Sequence, residues 1–163
     1  MTTIRNYTEK DAEKVGRLIA NTYAEFNLAF ASPADQALML GPFRYAHSTD
    51  EPHRQAIAQI LESPVFLVAE IDGAIAGVLR GRLERLASLF VSKAYHRQGI
   101  ARSLVEAFEA EMRAQNVSVI RVAATLYAVP FYAKMGYQKS TGVRIGWSFD
   151  GYGLPVQPMK KRL

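Results

Sequence analysis

The stretch that decides the fold covers residues 89–104 and reads LFVSKAYHRQGIARSL. It begins with three apolar residues, Leu89 to Val91, which are typical of a buried strand. A polar loop follows and ends at Gly99, and from Ile100 onward apolar residues recur at helical spacing. The sequence therefore predicts a strand, a loop and a helix, with the unpaired backbone amides of the helix start facing the loop.

The loop before this helix has the properties of an anion site. Backbone amides at a helix N-terminus have no partner within the helix, and the helix dipole is positive there. Gly99 and Ala101 have little or no side chain, so a phosphate can approach the main chain, and Arg97 and Arg102 add positive charge. The same residues also fit an ordinary helix start with two solvated arginines. Neither a Walker motif nor Gly-x-Gly-x-x-Gly is present, which argues against binding of nucleoside triphosphates and dinucleotides.

Hydrophobic periodicity and turn residues predict the elements around this stretch. The first helix follows the capping pair Thr8 and Asp11, the second follows Ser32-Pro33, and a third short helix begins at Pro52. Turns are predicted at Asp72-Gly73 and Gly81-Arg82. The other predicted elements are an extended lead-in at 2–6, strands at 65–71, 74–80, 83–91 and 117–124, helices at 100–115 and 129–135, and a long hairpin of 138–149 with 154–163.

This order of elements predicts an α/β (α+β) fold. The strands form a mixed, mostly antiparallel sheet of about seven strands, accompanied by four or five helices. The chain has 163 residues, of which 49% are hydrophobic and 21% charged, so residues 1–163 are predicted to form a single domain. Global disorder is excluded because it requires low hydrophobicity and high net charge.

Composition also limits the chemistry. The chain has no cysteine, which excludes disulfides, thiolate metal sites and cysteine nucleophiles, and its three histidines are not at metal-ligand spacing, so no metal site is predicted. The net charge of +5 fits an anionic ligand, but no dense Lys/Arg stripe is present, so nucleic acid is an unlikely partner. We find neither a signal peptide nor a membrane-spanning run, so we expect a cytoplasmic protein.

Two segments resemble the signatures of the GCN5-related N-acetyltransferase (GNAT) superfamily. Residues 96–101, His-Arg-Gln-Gly-Ile-Ala, are similar to the family's Gln/Arg-x-x-Gly-x-Gly/Ala loop, although His96 stands where the family has Gln or Arg. Residues 125–137, TLYAVPFYAKMGY, look like the family's segment from the fifth strand to the next helix, with Tyr137 in place of Phe. The order of predicted elements matches the family along nearly the whole chain.

The resemblance implies a fold in which the fourth and fifth strands splay apart and hold the pantetheine arm of acetyl-CoA between them. The loop amides would hold the pyrophosphate, and the acetyl group would pass directly to an amine. No metal is implied. The cofactor-binding residues carried over by the resemblance are Leu89, Phe90, Val91, His96, Arg97, Gln98, Gly99, Ile100, Ala101, Arg102, Thr125, Phe131 and Tyr132.

The resemblance also suggests catalytic residues. Tyr132 matches the family's usual proton donor to the departing thiolate; the other interpretation is a core aromatic residue. The base is a Glu near the start of the fourth strand in many relatives, and Glu84 is the nearest match, with Glu70 a weaker candidate. Glu84 also fits a hairpin-turn carboxylate paired with Arg82 or Arg85.

The acceptor site is implied to lie between the first two helices and the C-terminal hairpin. Aromatic and polar residues there fit a substrate wall or ordinary packing: Phe26, Phe30, Phe43, Tyr45, His47 and Trp147. The function implied is an acetyl-CoA-dependent N-acetyltransferase that acts on an amine of a small molecule or a protein. The alternative is a non-catalytic acyl-CoA-binding regulatory module on the same fold. Many relatives pair, so a homodimer is a further expectation from the family.

Overall fold

Short apolar strands and amphipathic helices follow one another along the chain, and the strands assemble into one eight-stranded sheet. The computed structural model describes residues 1–163. The strands are β1 (Thr2–Asn6), β2 (Val65–Ile71), β3 (Ala74–Arg82), β4 (Arg85–Val91), β5 (Val119–Thr125), β6 (Gln138–Lys139), β7 (Arg144–Ser148) and β8 (Gly151–Arg162). The helices are α1 (Ala12–Thr22), α2 (Pro33–Leu40), α3 (Glu51–Ile60), α4 (Ile100–Ala114) and α5 (Val129–Lys134). The predicted fold class is confirmed.

The sheet is antiparallel except at one place. Its order is β1-β2-β3-β4-β5-β8-β6, and β7 also pairs with β8. Strands β4 and β5 are parallel, and α4 forms the crossover between them. None of the helices combines the length and the hydropathy needed to cross a bilayer.

The parallel pair β4 and β5 is open along most of its length. Register pairs join only Arg85 to Arg121 and Leu86 to Val122, although each strand has 7 residues. Beyond Leu86 the strands part, while β4 stays paired with β3 and β5 stays paired with β8. The predicted splay between the fourth and fifth strands is therefore present, and it leaves the inner edges of two central strands without a sheet partner.

Two apolar layers cover the two faces of the sheet. On one face, α4 buries the residues predicted from its periodicity, Leu104, Val105, Phe108 and Met112, each at 0% exposure. Replacing Phe108 by alanine would cost about 3–5 kcal/mol of stability at such a site. On the other face, α1 and α3 pack through Val15, Ile19 and Ile57 against β2 and β3. The sheet that contains the open gap is thus covered by helices on both faces.

The hairpin between β3 and β4 differs from the sequence prediction. The sequence placed the turn at Gly81-Arg82, but β3 continues through Arg82 and the turn lies at Leu83 and Glu84. Gly81 is required for close packing instead, since a Cβ there would lie 2.8 Å from both the Arg85 carbonyl oxygen and the ring of Phe108. Glu84 takes the positive φ of 66° that the turn needs.

The first helix and the C-terminal hairpin are also less regular than predicted. After α1 the chain widens into a π-helical segment, Tyr23–Asn27, where the apolar spacing had predicted a continuous helix. The hairpin of β7 and β8 forms as predicted, but its first arm is interrupted between β6 and β7. The π-helical segment and the hairpin lie on either side of the open end of the gap.

Candidate functional site

The loop that leads into α4 presents a row of free backbone donors. The first hydrogen bond of the helix is donated by the Ser103 N–H to the Gly99 carbonyl, at 3.0 Å. No N–H group from Arg97 to Arg102 donates a hydrogen bond within the chain. Six consecutive amides at the positive end of a 15-residue helix are therefore available to an anion.

The backbone of this loop is shaped for close approach. Arg97 and Gly99 have positive φ angles of 60° and 77°, which turn the chain tightly before α4. A Cβ built at Gly99 would meet no atom within 4 Å, so the space beside its backbone is open. Arg97 is exposed, and Arg102 forms an i,i+4 ion pair with Glu106 at 2.7 Å. The charge beside the open amides therefore comes mainly from Arg97.

His96, which departs from the family pattern, is held by the structure beside the gap. Its Nε2 lies 2.8 Å from the Val91 carbonyl oxygen. This contact requires a proton on Nε2, because a carbonyl only accepts. The imidazole also packs against the ring of Phe26, with centroids 4.9 Å apart. His96 thus joins the loop, the end of β4 and the π-helical segment.

A cavity of about 340 Å³ occupies the gap between β4 and β5. Its walls come from residues 87–90 of β4 and residues 122–125 of β5, together with Tyr132 of α5. Tyr23 and Phe43 close it from the helical side, and Trp147 to Phe149 close it from the hairpin. The cavity is mostly apolar and has a few polar groups that converge on it, as small-molecule sites usually do.

Two buried tyrosines reach this cavity, and their hydroxyl groups differ. The Tyr23 hydroxyl lies 2.6 Å from the Ser148 Oγ, which itself donates to the Met39 carbonyl at 2.7 Å. Since a serine hydroxyl has one hydrogen, Tyr23 must be the donor to Ser148. The Tyr132 hydroxyl has no hydrogen-bond partner in the chain, and burial alone raises the pKa of Tyr132 well above its usual range. Tyr132 therefore keeps a proton that it can donate to a ligand.

Arg80 is the only charged residue that lines the cavity. Its Nε donates to the Ser88 Oγ at 3.0 Å, and its Nη1 donates to the Ile60 carbonyl at 2.6 Å. No carboxylate faces it, and desolvation lowers the pKa of its guanidinium. Arg80 is not among the residues predicted from the sequence, because nothing in the local pattern distinguishes it from the other arginines of this hairpin.

The mouth of the cavity is bridged by the π-helical segment. Asn27 donates through its Nδ2 to the Thr125 Oγ1 at 2.6 Å, which joins this segment to the end of β5. Glu25 pairs with Lys93 at 2.9 Å, which joins it to the loop after β4. The segment therefore spans the splayed strands, and such π-helical turns occur often at functional sites.

The structure brings together some predicted site residues and separates others. Leu89, Phe90, Thr125 and Tyr132 line the cavity, as do Phe43 and Trp147 of the predicted acceptor wall. The predicted loop residues 96–102 lie outside the cavity, and so do Val91, Phe131, Phe26, Phe30, Tyr45 and His47. Val91 is nevertheless at the end of β4, and Phe131 packs against Tyr132 with ring centroids 5.2 Å apart.

Neither carboxylate suggested as a base lies in the cavity. Glu84 is exposed in the β3–β4 turn, next to the closed, paired end of β4 rather than the splayed end. Glu70 lies on β2 and pairs with Arg5 at 2.9 Å. Glu84, suggested by the resemblance as a Glu near the start of the fourth strand, is instead a carboxylate of the hairpin turn, which was the other interpretation of this residue. No aspartate, glutamate or histidine lines the cavity, and no cluster of such side chains could hold a metal ion.

Comparison with known proteins identifies the class of this domain. Residues 33–163 match the family model described as acetyltransferase (GNAT) domain. Because that match covers most of the chain, the protein belongs to the GNAT acetyltransferase family, as the two sequence motifs predicted. A search of curated proteins finds no match.

Solved structures agree with this family assignment at the level of the fold. A structure from Rhodopseudomonas palustris, described as "GCN5-Related N-acetyltransferase: Aminotransferase, Class-II", has 21% identity and a TM-score of 0.83, with 100% of this chain and 96% of that chain covered. PaiA N-acetyltransferase of Thermoplasma acidophilum, in complex with coenzyme A, has 17% identity and a TM-score of 0.73, with 100% and 99% covered. YncA of Salmonella typhimurium, with its cofactor acetyl-CoA, has 18% identity and a TM-score of 0.65, with 100% and 94% covered.

Proposed function

We propose that the protein is an acetyl-CoA-dependent N-acetyltransferase that transfers the acetyl group directly to an amine. The observation that carries the proposal is the row of unpaired amides from Arg97 to Arg102, which leads along β4 into a cavity that holds the free hydroxyl of Tyr132. Family membership and two fold relatives with coenzyme A or acetyl-CoA bound support acetyl-CoA as the co-substrate.

The proposed binding mode follows from the free backbone groups. The diphosphate of acetyl-CoA accepts hydrogen bonds from the loop amides, and the open space at Gly99 admits it. The pantetheine arm then enters the gap beside Leu89 and Val91. Ser92 N–H donates to the Ala76 carbonyl of β3, so alternation along the strand turns the backbone groups of Leu89 and Val91 toward the gap. The Val91 carbonyl already accepts from His96 Nε2, so Val91 offers its N–H to the pantetheine arm.

The transfer step needs no covalent enzyme intermediate. The neutral amine nitrogen attacks the thioester carbonyl, a C–N bond forms, and the C–S bond breaks. Tyr132 donates its proton to the departing sulfur. The acylated nitrogen, which carries one proton more than an amide, releases that proton to water, and Tyr132 regains one from water. A tyrosine phenol is protonated at neutral pH, and the Tyr132 hydroxyl has no partner in the chain, so its hydrogen is available to the sulfur.

The proton on the attacking amine must leave by another route. No carboxylate or imidazole lines the cavity, so we propose that the amine loses its proton to water before attack. An amine with a pKa near 10 is then only about 0.1% reactive at pH 7. The site therefore favours amines whose pKa is lower than that of an alkyl amine.

The direct test is thioester consumption with a panel of amines, together with calorimetric titration of acetyl-CoA. We expect acetyl-CoA to bind and at least one amine to be acetylated. Binding without turnover of any amine would favour the alternative, an acyl-CoA-binding regulatory module. No binding at high micromolar concentration would overturn both.

A further inference from the structure

We propose that Arg80 binds a carboxylate on the acceptor, so that the amine acetylated by this protein belongs to an amino acid or a similar carboxylate-bearing amine. This inference rests on the proposed function. It is based on two observations: Arg80 is the only charged side chain in the cavity, and no acidic side chain lines the cavity. It assigns a substrate class and a specificity-determining residue to the acceptor half of the site.

The position of Arg80 places its charge in the acceptor half. Arg80 is opposite Ser88 in the β3–β4 ladder, and its guanidinium donates to that side chain. Val78, two residues earlier on β3, packs in the apolar layer with α1 and α3, so Arg80 points to the same face. The loop of residues 97–102, which we propose holds the diphosphate, precedes α4, and α4 packs on the opposite face of the sheet. Arg80 therefore lies on the face of the sheet opposite to the loop and does not contact the proposed diphosphate site.

The hydrogen bonds of Arg80 leave donors to spare. A guanidinium has five N–H groups, and two of them are used by Ser88 and by the Ile60 carbonyl at the end of α3. These two bonds fix the plane of the group. The remaining donors are free for a planar, two-oxygen acceptor, which is the geometry that arginine recognises best.

The charge of the cavity lining indicates that its ligand carries an anionic group. A half-buried cation without an acidic partner is costly, and proteins normally pair it. The Ile60 carbonyl and the negative end of α3 offset only part of this charge. A substrate carboxylate would complete the pairing, whereas a polyamine or another cationic acceptor would be repelled.

The rest of the lining fits the same class of molecule. Tyr23, Phe43 and Trp147 offer apolar surface to a side chain, and Ser88 and Ser148 add small polar groups. One molecule with a carboxylate a few bonds from the amine nitrogen would fill both the charged and the apolar parts of this lining.

The test compares free amino acids with their amides as acceptors. The panel contains α-, β- and γ-amino acids, each with its carboxamide, and acetyl transfer is measured as kcat and KM at fixed saturating acetyl-CoA. A carboxamide lowers the pKa of the neighbouring amine more than a carboxylate does, so each kcat/KM is divided by the fraction of neutral amine found by titrating the acceptor. In the best acid–amide pair we expect this corrected kcat/KM to be roughly 10- to 100-fold higher for the acid, the range for a hydrogen-bonded charge. Equal use of the two, preference for the amide, or transfer only to amines without a carboxylate would overturn the inference.

The variants Arg80→Met and Arg80→Lys separate recognition from structure. Arg80→Met should abolish the preference for the acid, mainly through a higher KM for the acid, and Arg80→Lys, which keeps the charge without the planar fork, should retain only part of it. Arg82→Met removes the same charge from an exposed position on the same strand and serves as the matched control. If Arg80 serves only to link β3 to α3, both Arg80 variants will have a lower melting temperature and will still prefer the acid over the amide. That result would contradict the inference. If Arg80→Met does not fold, the acid–amide comparison in the native protein decides.

The outcome also distinguishes this inference from the proposed function. Failure of acetyl-CoA to bind in calorimetry would remove the acetyltransferase proposal itself. Binding of acetyl-CoA, with acetylation confined to amines without a carboxylate, would leave that proposal standing and remove only the assignment of Arg80.

Discussion

Tyr23 and Ser148 are 125 residues apart in the sequence, and their hydroxyl oxygens lie 2.6 Å apart inside the protein. The Ser148 hydroxyl in turn donates a hydrogen bond to the Met39 carbonyl. The π-helical segment, α2 and the C-terminal hairpin are therefore joined at one buried point, which closes the acceptor side of the cavity.

Removal of the Tyr23 hydroxyl should weaken this closure. In Tyr23→Phe the Ser148 hydroxyl keeps its bond to Met39 but loses its donor, so we expect the free energy of unfolding to fall by about 1–2 kcal/mol. Urea denaturation measures this change. Tyr152→Phe, the same change at an exposed tyrosine, should leave the midpoint nearly unchanged. A Tyr23→Phe protein as stable as the native one would contradict the hydrogen-bond assignment.

The two tyrosines should also differ in catalysis. Tyr132→Phe removes the proposed proton donor, so kcat should fall by roughly 10- to 100-fold, the low end for general acid catalysis, because a thiolate already leaves readily. The dissociation constant for acetyl-CoA should change little. Steady-state kinetics and calorimetry measure the two quantities.

Tyr137→Phe is the control for that variant. Tyr137 packs against Tyr132 at 5.5 Å, but its hydroxyl donates to Glu109, outside the cavity. We expect this change to reduce stability and to leave kcat within about twofold. If both variants lose kcat to the same extent, the loss reflects packing and Tyr132 is not the donor.

The pH dependence of the reaction should follow the substrate rather than the protein. Because no carboxylate or imidazole lines the cavity, kcat/KM should rise with pH until the amine is neutral and then level off. The raised pKa of Tyr132 keeps the donor protonated, so no fall is expected up to about pH 10. The profile should shift when the amine is replaced by one of lower pKa. An ascending limb that stays at the same pH for both amines would indicate a base in the protein.

Low pH should destabilise the fold in part by protonating the carboxylate of Asp11. The Arg5 guanidinium donates to both oxygens of this carboxylate, at 2.8 and 3.0 Å, and lowers the pKa of Asp11. A lowered folded-state pKa means that the ionised form stabilises the fold above the unfolded pKa of about 3.9, and that this stability is lost as pH falls through the folded value.

The variant Asp11→Asn tests this linkage. We expect it to lower the free energy of unfolding by about 1–3 kcal/mol at pH 7. The difference from the native protein should shrink when the measurement is repeated near pH 2.5. Asp35→Asn, at an exposed helix start, provides a comparison with a small effect at both pH values. A constant difference for Asp11→Asn across pH would show that its charge is not involved.

Several features of the fold were predictable because their causes are local. The periodicity of Ile100 to Met112 and the Ser32-Pro33 start of α2 each produced the expected element, and the Asp35 N–H does donate to the Ser32 Oγ at 3.2 Å. The two motifs identified the family. They also indicated the loop of free amides, since a helix start following glycine is visible in the sequence itself.

The features that were missed depend on contacts between distant segments. Gly81 was interpreted as a turn residue because the ring of Phe108, which occupies the space beside it, is remote in sequence. Arg80 was overlooked because its partners, Ser88 and Ile60, meet only after β3 pairs with β4 and α3 packs on the sheet. The absence of an acid in the cavity likewise depends on which residues the splayed strands bring together, and it removes Glu84 from the site.

The measurement that tests the central claim most directly is calorimetric titration of acetyl-CoA into two glycine variants. Gly99 and Gly73 both have positive φ, 77° and 81°, and a Cβ at either meets no atom within 4 Å. Gly99→Val and Gly73→Val should therefore suffer similar backbone strain, about 1–2 kcal/mol.

Only Gly99→Val places a side chain where the diphosphate would approach the loop amides. We expect its affinity for acetyl-CoA to fall by at least about tenfold, while Gly73→Val binds as tightly as the native protein. Equal affinity in all three proteins would contradict the account, because it would mean that the amides from Arg97 to Arg102 do not hold acetyl-CoA.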